Sequence, residues 1–160
     1  MDASLLDMAF ADIERACRPG EVDGAKLAGF LLAFCFLEAV SGFYAGRRKR
    51  DSGLAANFRA FVDAYMPGYN ARHLYSDLRS GLVHSYAIGK TYAFTNLESD
   101  GKHLSVASTF LGRRTLLDLE HFVSDVKDAY LAFRADILSD PGRFASAQTR
   151  YDSIGLIRAG

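Results

Sequence analysis

The chain has 160 residues, enough for one domain whose core needs neither a metal nor a disulfide to hold it together. With 49% apolar and 24% charged residues it has the balance of a soluble globular protein, not of a disordered or fibrous one. Nineteen basic residues offset nineteen acidic ones, which argues against a protein dedicated to coating duplex nucleic acid and leaves only a local basic patch open.

The first element runs from Ser4 to Ala16. Leu5, Leu6, Ala9, Phe10 and Ile13 recur at helical spacing, Ser4 with Asp7 resembles a capping box, and Pro19-Gly20 stops the helix. Asp23 caps a second helix over about Ala25 to Ala45. It contains the apolar run Leu27–Leu37 and one acid that reads as buried, Glu38. Eleven apolar residues fall short of the roughly 20 that cross a bilayer, so the run reads as a helix buried on nearly all sides. Four consecutive cations follow, Arg47, Arg48, Lys49 and Arg50, between Gly46 and Gly53. They read as an exposed loop, either a contact for an RNA backbone or a solvated segment. A third helix, about Leu54 to Met66, places Phe58, Phe61, Val62 and Tyr65 on one side and ends at Pro67-Gly68. Asn70 caps a fourth helix that reaches about Tyr86.

Beyond it the composition turns to Tyr, Phe, Thr and Val. "KTYAFTNL" and "HLSVASTF" flank the turn dipeptide Asp100-Gly101, which predicts a two-stranded β-hairpin over about 90–111, packed on the helices. Thr115 then opens a long helix to about Ser139, with Leu116, Leu119, Phe122, Val123, Val126, Tyr130, Phe133 and Ile137 on its inner face. Arg113 and Arg114 precede it and read like the earlier cationic loop. The last eighteen residues predict a short helix or an irregular tail. The expected fold is all-α: a single domain over 1–160, an antiparallel bundle of about five helices with a small hairpin insertion.

Cys17 and Cys35 lie among apolar residues at a separation that fits no metal or redox motif, and they read as reduced core cysteines. The acidic N-terminus lacks the pattern of a secretory signal, so a cytoplasmic protein without a membrane segment is expected. His73 and His84 are three helical turns apart, about 16 Å, and offer no metal-ligand pair. No metal or cofactor is expected, and no phosphate loop or nucleophile elbow is present.

The fourth helix carries "LYSDLRSGLVHSY", Leu74 to Tyr86. Arg79 and His84 combine a permanent cation that forks onto phosphate oxygens with a side chain that exchanges protons near neutral pH. That pair suffices to cut RNA without a metal: the histidine takes the 2′-hydroxyl proton or protonates the leaving 5′-oxygen, and the arginine stabilises charge on the phosphorus oxygens. Five residues on a straight α-helix turn through about 500°, leaving the two side chains about 140° apart. Convergence needs a bend at Gly81 or a second protomer across a two-fold axis. The plain alternative is structural. Arg79 pairs with Asp63, Asp77 or Glu38 to tie helices together, and His84 is satisfied by a backbone carbonyl. Around the pair, Tyr75 and Tyr86 read either as platforms for a base or phosphate or as half-buried packing, and Ser80 shares a face with His84.

"RSGLVH", an arginine and a histidine separated by four residues near one end of a bundle helix, resembles the signature of the HEPN superfamily of small all-α proteins. The resemblance implies a homodimer with its site at the interface and metal-independent cleavage of single-stranded RNA. It makes Arg79 and His84 the catalytic pair, and it implies a role in toxin–antitoxin, antiphage or RNA-processing systems with an antitoxin or regulatory protein as partner. A non-catalytic RNA- or protein-binding module is the alternative outcome. Ser80 stands where the family often has Asn, Asp or His.

Overall fold

A computed structural model describes residues 3–16, 25–46, 53–85, 89–95 and 102–154. The described residues form α1 (Ala3–Ala16), α2 (Ala25–Ala45), α3 (Leu54–Tyr65) and a composite α4 made of Ala71–His73, Leu74–Ser80 and Gly81–Ser85. Strands β1 (Tyr92–Thr95), β2 (Val106–Thr109) and β3 (Gly112–Asp118) follow, then α5 (Leu119–Ser139) and α6 (Pro141–Ile154). Among the described residues the protein is mainly helical, with one small sheet.

Helix α2 is the hub. It packs against α1, α3, α5 and α6, which is why its sequence is apolar around most of its circumference. Phe30, Phe34, Leu37 and Val40 are buried along it, and Phe36 meets Phe10 of α1 and Tyr130 of α5 edge-on. Leu27–Ala45 is long and apolar enough to cross a membrane, and more than half of that stretch is buried among the neighbouring helices. One stripe stays open. Ala28, Leu32, Cys35 and Ala39 are exposed, so α2 is not buried on nearly all sides and Cys35 is not a core residue. The apolar spacing was misleading here because α2 has more apolar faces than its neighbours cover. Cys17 lies outside the described residues.

The expected two-stranded hairpin is a three-stranded mixed sheet in the order β1-β3-β2. β1 runs parallel to β3, pairing Tyr92 with Thr115 and Phe94 with Leu117, and β2 runs antiparallel to β3, pairing Val106 with Thr115 and Thr109 with Gly112. The hairpin is therefore β2–β3. It turns at Phe110-Leu111, where Gly112 takes the left-handed φ of 98° that a side chain disfavours and the Thr109 hydroxyl donates to its carbonyl. A Phe-Leu turn carries none of the Asn-Gly chemistry that marks hairpins in a sequence, whereas Asp100-Gly101 does and lies outside the described residues. Arg113, Arg114 and Thr115 to Asp118 consequently belong to the central strand, and the long helix begins at Leu119, not at Thr115. Asp118 caps it by accepting from the His121 N–H at 3.0 Å.

Candidate functional site

Helix α4 begins where the sequence predicts. The Asn70 side chain accepts from the His73 N–H at 3.0 Å, and Leu74, Leu78 and Leu82 then enter the core four residues apart. Between Leu74 and Ser80 the helix is wound in π form, with i→i+5 hydrogen bonding. The π winding ends at Ser80, and Gly81–Ser85, which carries His84, is α-helical again. Just past that junction, Arg79 Nη1 lies 3.3 Å from His84 Nε2 within a single chain, the length of the two side chains closing the angle between them. The irregularity is not at Gly81, whose φ of −63° and ψ of −47° are ordinary helix values.

Arg79 is half-buried and holds two partners. Its Nε and Nη2 both donate to Oε2 of Glu38 on α2, and the two side chains are only 14% and 20% exposed, so this pair is shielded from solvent screening. Its Nη1 edge is left for His84, which is exposed. A guanidinium only donates, so His84 Nε2 accepts, and in the neutral ring the proton sits on Nδ1. The imidazole thus presents its basic nitrogen beside the free edge of the cation. The Tyr75 ring flanks the guanidinium carbon at 5.6 Å and is braced edge-on by Phe58 of α3.

Asp77 is not a partner of Arg79. It accepts from the Ser76 hydroxyl at 2.9 Å and from the hydroxyl and backbone N–H of Thr91. Burial alone would raise its carboxyl, but the hydrogen bonds from Thr91 and Ser76 outweigh it and hold the group below its ordinary value. These bonds, with the Gly89 N–H donating to the Asp77 carbonyl at 2.8 Å, lash the start of the sheet to the helix that carries the site.

Tyr75 flanks Arg79 as their spacing suggests, whereas His84, expected to diverge from Arg79 on a straight helix, lies beside it without a bend at Gly81 or a second protomer. Ser80 is half-buried and forms no hydrogen bond to His84 among the described residues. Tyr86 and the cationic run Arg47, Arg48, Lys49 and Arg50 lie outside the described residues. Two residues beside the site were not assigned to it from sequence. Glu38 entered only as a structural partner, although a lone acid in an apolar helix signals a buried cation opposite. Cys35, one turn before Glu38, lies near both charges. Although the residue is exposed on the open stripe, partial desolvation raises its thiol first, Glu38 raises it further, and Arg79 opposes them.

Among the described residues no group of three or more His, Cys, Asp or Glu side chains is placed to hold a metal ion. Neither a protein-family model, a curated protein nor a solved structure matches the chain.

Proposed function

We propose that the protein is a metal-independent endoribonuclease of HEPN type that cuts single-stranded RNA. The observation that carries this reading is the approach of Arg79 Nη1 to His84 Nε2, at the end of a π-wound stretch that includes Arg79. π turns interrupt α-helices rarely and often at functional sites. As RNA enters, Arg79 Nη1 turns from His84 to the phosphate, and the lone pair so freed on Nε2 removes the 2′-hydroxyl proton as the 2′-oxygen attacks phosphorus. The bond to the 5′-oxygen breaks, that oxygen takes a proton from water, the proton held by His84 returns to solvent, and the products are a 2′,3′-cyclic phosphate and a 5′-hydroxyl. Arg79 donates from Nη1 to a phosphoryl oxygen as charge grows there. Glu38 is a positioning residue that fixes the plane of the guanidinium, and Tyr75 walls the cation from the side.

A homodimer belongs to the same reading. The open stripe Ala28, Leu32, Cys35 and Ala39 has the alternating four-and-three spacing of a helix-pairing seam, and Cys35 lies near Glu38 and Arg79. Pairing α2 with its two-fold mate would seat two sites beside one interface.

The second reading is a non-catalytic module that binds RNA or a regulatory protein. The Arg79–Glu38 pair favours it, because a neutralised arginine also serves as a tie between α2 and α4. The test is purified protein with end-labelled single-stranded RNA in EDTA. The nuclease reading expects cleavage, cyclic-phosphate ends, and resistance of any linkage whose 2′-hydroxyl is replaced by hydrogen. Retention of the RNA without cleavage assigns the protein to the second reading.

A further inference from the structure

Away from Arg79 and His84, a second set of titratable groups joins the sheet to the helices. The Asp118 N–H donates to His103 Nδ1 at 3.1 Å, so Nδ1 is an acceptor and the neutral ring carries its proton on Nε2. His103 Nε2 then meets the Tyr69 hydroxyl at 2.8 Å, and that hydroxyl donates onward to Asp125 of α5 at 2.6 Å. His121 stacks on His103 with ring centres 5.4 Å apart and bonds through Nδ1 to Asp118 at 2.8 Å. Tyr69 belongs to the turn between α3 and α4, so the chain of bonds ends one residue before the cap of the helix that carries Arg79.

The backbone beside His103 is strained. Leu104 has a φ of 60°, the one non-glycine residue with a left-handed conformation among the described residues. Its side chain rests over Gly68 of the same turn, where an added Cβ would meet Leu104 Cδ1 at 3.4 Å. The conformation is held by Leu104 N–H donating to the Leu116 carbonyl and Leu116 N–H donating to the Ser105 carbonyl, each at 2.8 Å. His103 and Leu104 together therefore clamp the Met66–Asn70 turn from the sheet side.

We infer that His103 is an acid-released latch: protonation of Nδ1 sets two donors against each other at the Asp118 amide and frees residues 102–105 from the turn that leads into α4. The groups facing His103 are Asp118 at the end of β3, His121 and Asp125 on α5, and Tyr69 in the turn, with Tyr92 of β1 close to Tyr69. Burial lowers His103 below its ordinary value, and the opposing pull of Asp125 does not restore it. A base lowered in the closed state stabilises that state above its ordinary pKa of about 6.5, and this contribution is lost as pH falls toward the lowered value. His121 is raised, chiefly by its bond to Asp118, so its own contribution is complete below about 6.5 and is lost only as pH rises. Between its ordinary and its lowered pKa, His103 is then the histidine that sets the dependence. The latch stands whether or not the Arg79–His84 pair is catalytic.

The experiment is amide hydrogen exchange on the whole protein at about pH 7.5 and about pH 5.0, corrected for intrinsic rates and kept above the ordinary carboxylate range. Protection at Leu104, Leu116 and Asp118 is expected to fall by about tenfold for each pH unit between the ordinary and the lowered histidine value. Protection at Phe34 and Phe61 stays constant. His103→Asn keeps an acceptor near the position of Nδ1 without a titrating group, and the pH dependence disappears. In His121→Asn it remains. Unchanged protection in the wild type, or a fall that survives in His103→Asn, overturns the latch. Should His103→Asn not fold, the His103 ring resonance of the wild type decides: titration at or above about 6.5 overturns the latch, and titration below it in step with the three amides supports it.

Discussion

Arg79 divides its donors between two tasks. Nε and Nη2 are committed to Glu38, and Nη1 remains for His84. Glu38→Gln retains an acceptor and removes the charge, and the expected loss of stability is about 1 kcal/mol by thermal unfolding. Glu38→Ala strands a half-buried cation, and the expected loss is larger, about 3 kcal/mol. If the carboxylate does no more than tie two helices, the two variants lower cleavage only through stability. If it orients the guanidinium, Glu38→Gln keeps most of the RNA cleavage and Glu38→Ala loses it even at temperatures where the protein is folded. Asp77 gives a pH-dependent counterpart. Its lowered carboxyl contributes stability above the ordinary value of about 3.9 that is lost as pH falls through the folded value. Thr91→Val is therefore expected to cost about 1–2 kcal/mol at neutral pH, with the gap to wild type closing in acid during urea titrations.

Among elements, α4 shows how far a pattern reaches. Its cap at Asn70 and its buried leucines at 74, 78 and 82 were legible because capping and burial leave local signals. Its π winding was not, since the sequence of Leu74–Ser80 suits an α-helix equally well. Arg79 and His84, expected to diverge on a straight helix, meet with ordinary helix angles at Gly81. The sheet misled for a related reason. Strand and helix periods are ambiguous in short apolar runs, so the spacing predicts the first turn of α5 at Thr115–Asp118, which belongs instead to the central strand. Contact between sheet and α4 makes Gly89 sensitive: an added Cβ would fall 2.5 Å from Asp77 Cβ. Gly89→Ala is expected to lower stability by about 2 kcal/mol and to reduce protection of the Thr91 amide, which donates to Asp77.

For the molecule as a whole, the helical architecture with a small sheet followed from hydrophobic periodicity, whereas the open face of α2 did not. Periodicity reports which residues are apolar, not how many neighbours are available to cover them. The proposed dimer uses that face. Leu32→Glu, at a side chain already 41% exposed, is expected to keep the helical circular-dichroism spectrum, to make the thermal midpoint independent of protein concentration, and to shift light-scattering mass from two chains to one. A wild-type protein that is monomeric at every concentration would remove the dimer and leave the single-chain site in place. The central claim, that one cation and one imidazole act on the same linkage, is tested most directly by a double-mutant cycle on the RNA cleavage rate in EDTA. Arg79→Ala and His84→Ala are each expected to slow cleavage by about 10²–10⁴-fold, and the double variant to be little slower than the worse single one, as for groups that act as a unit. Losses that multiply in the double variant, or cleavage that either single variant leaves untouched, would contradict it.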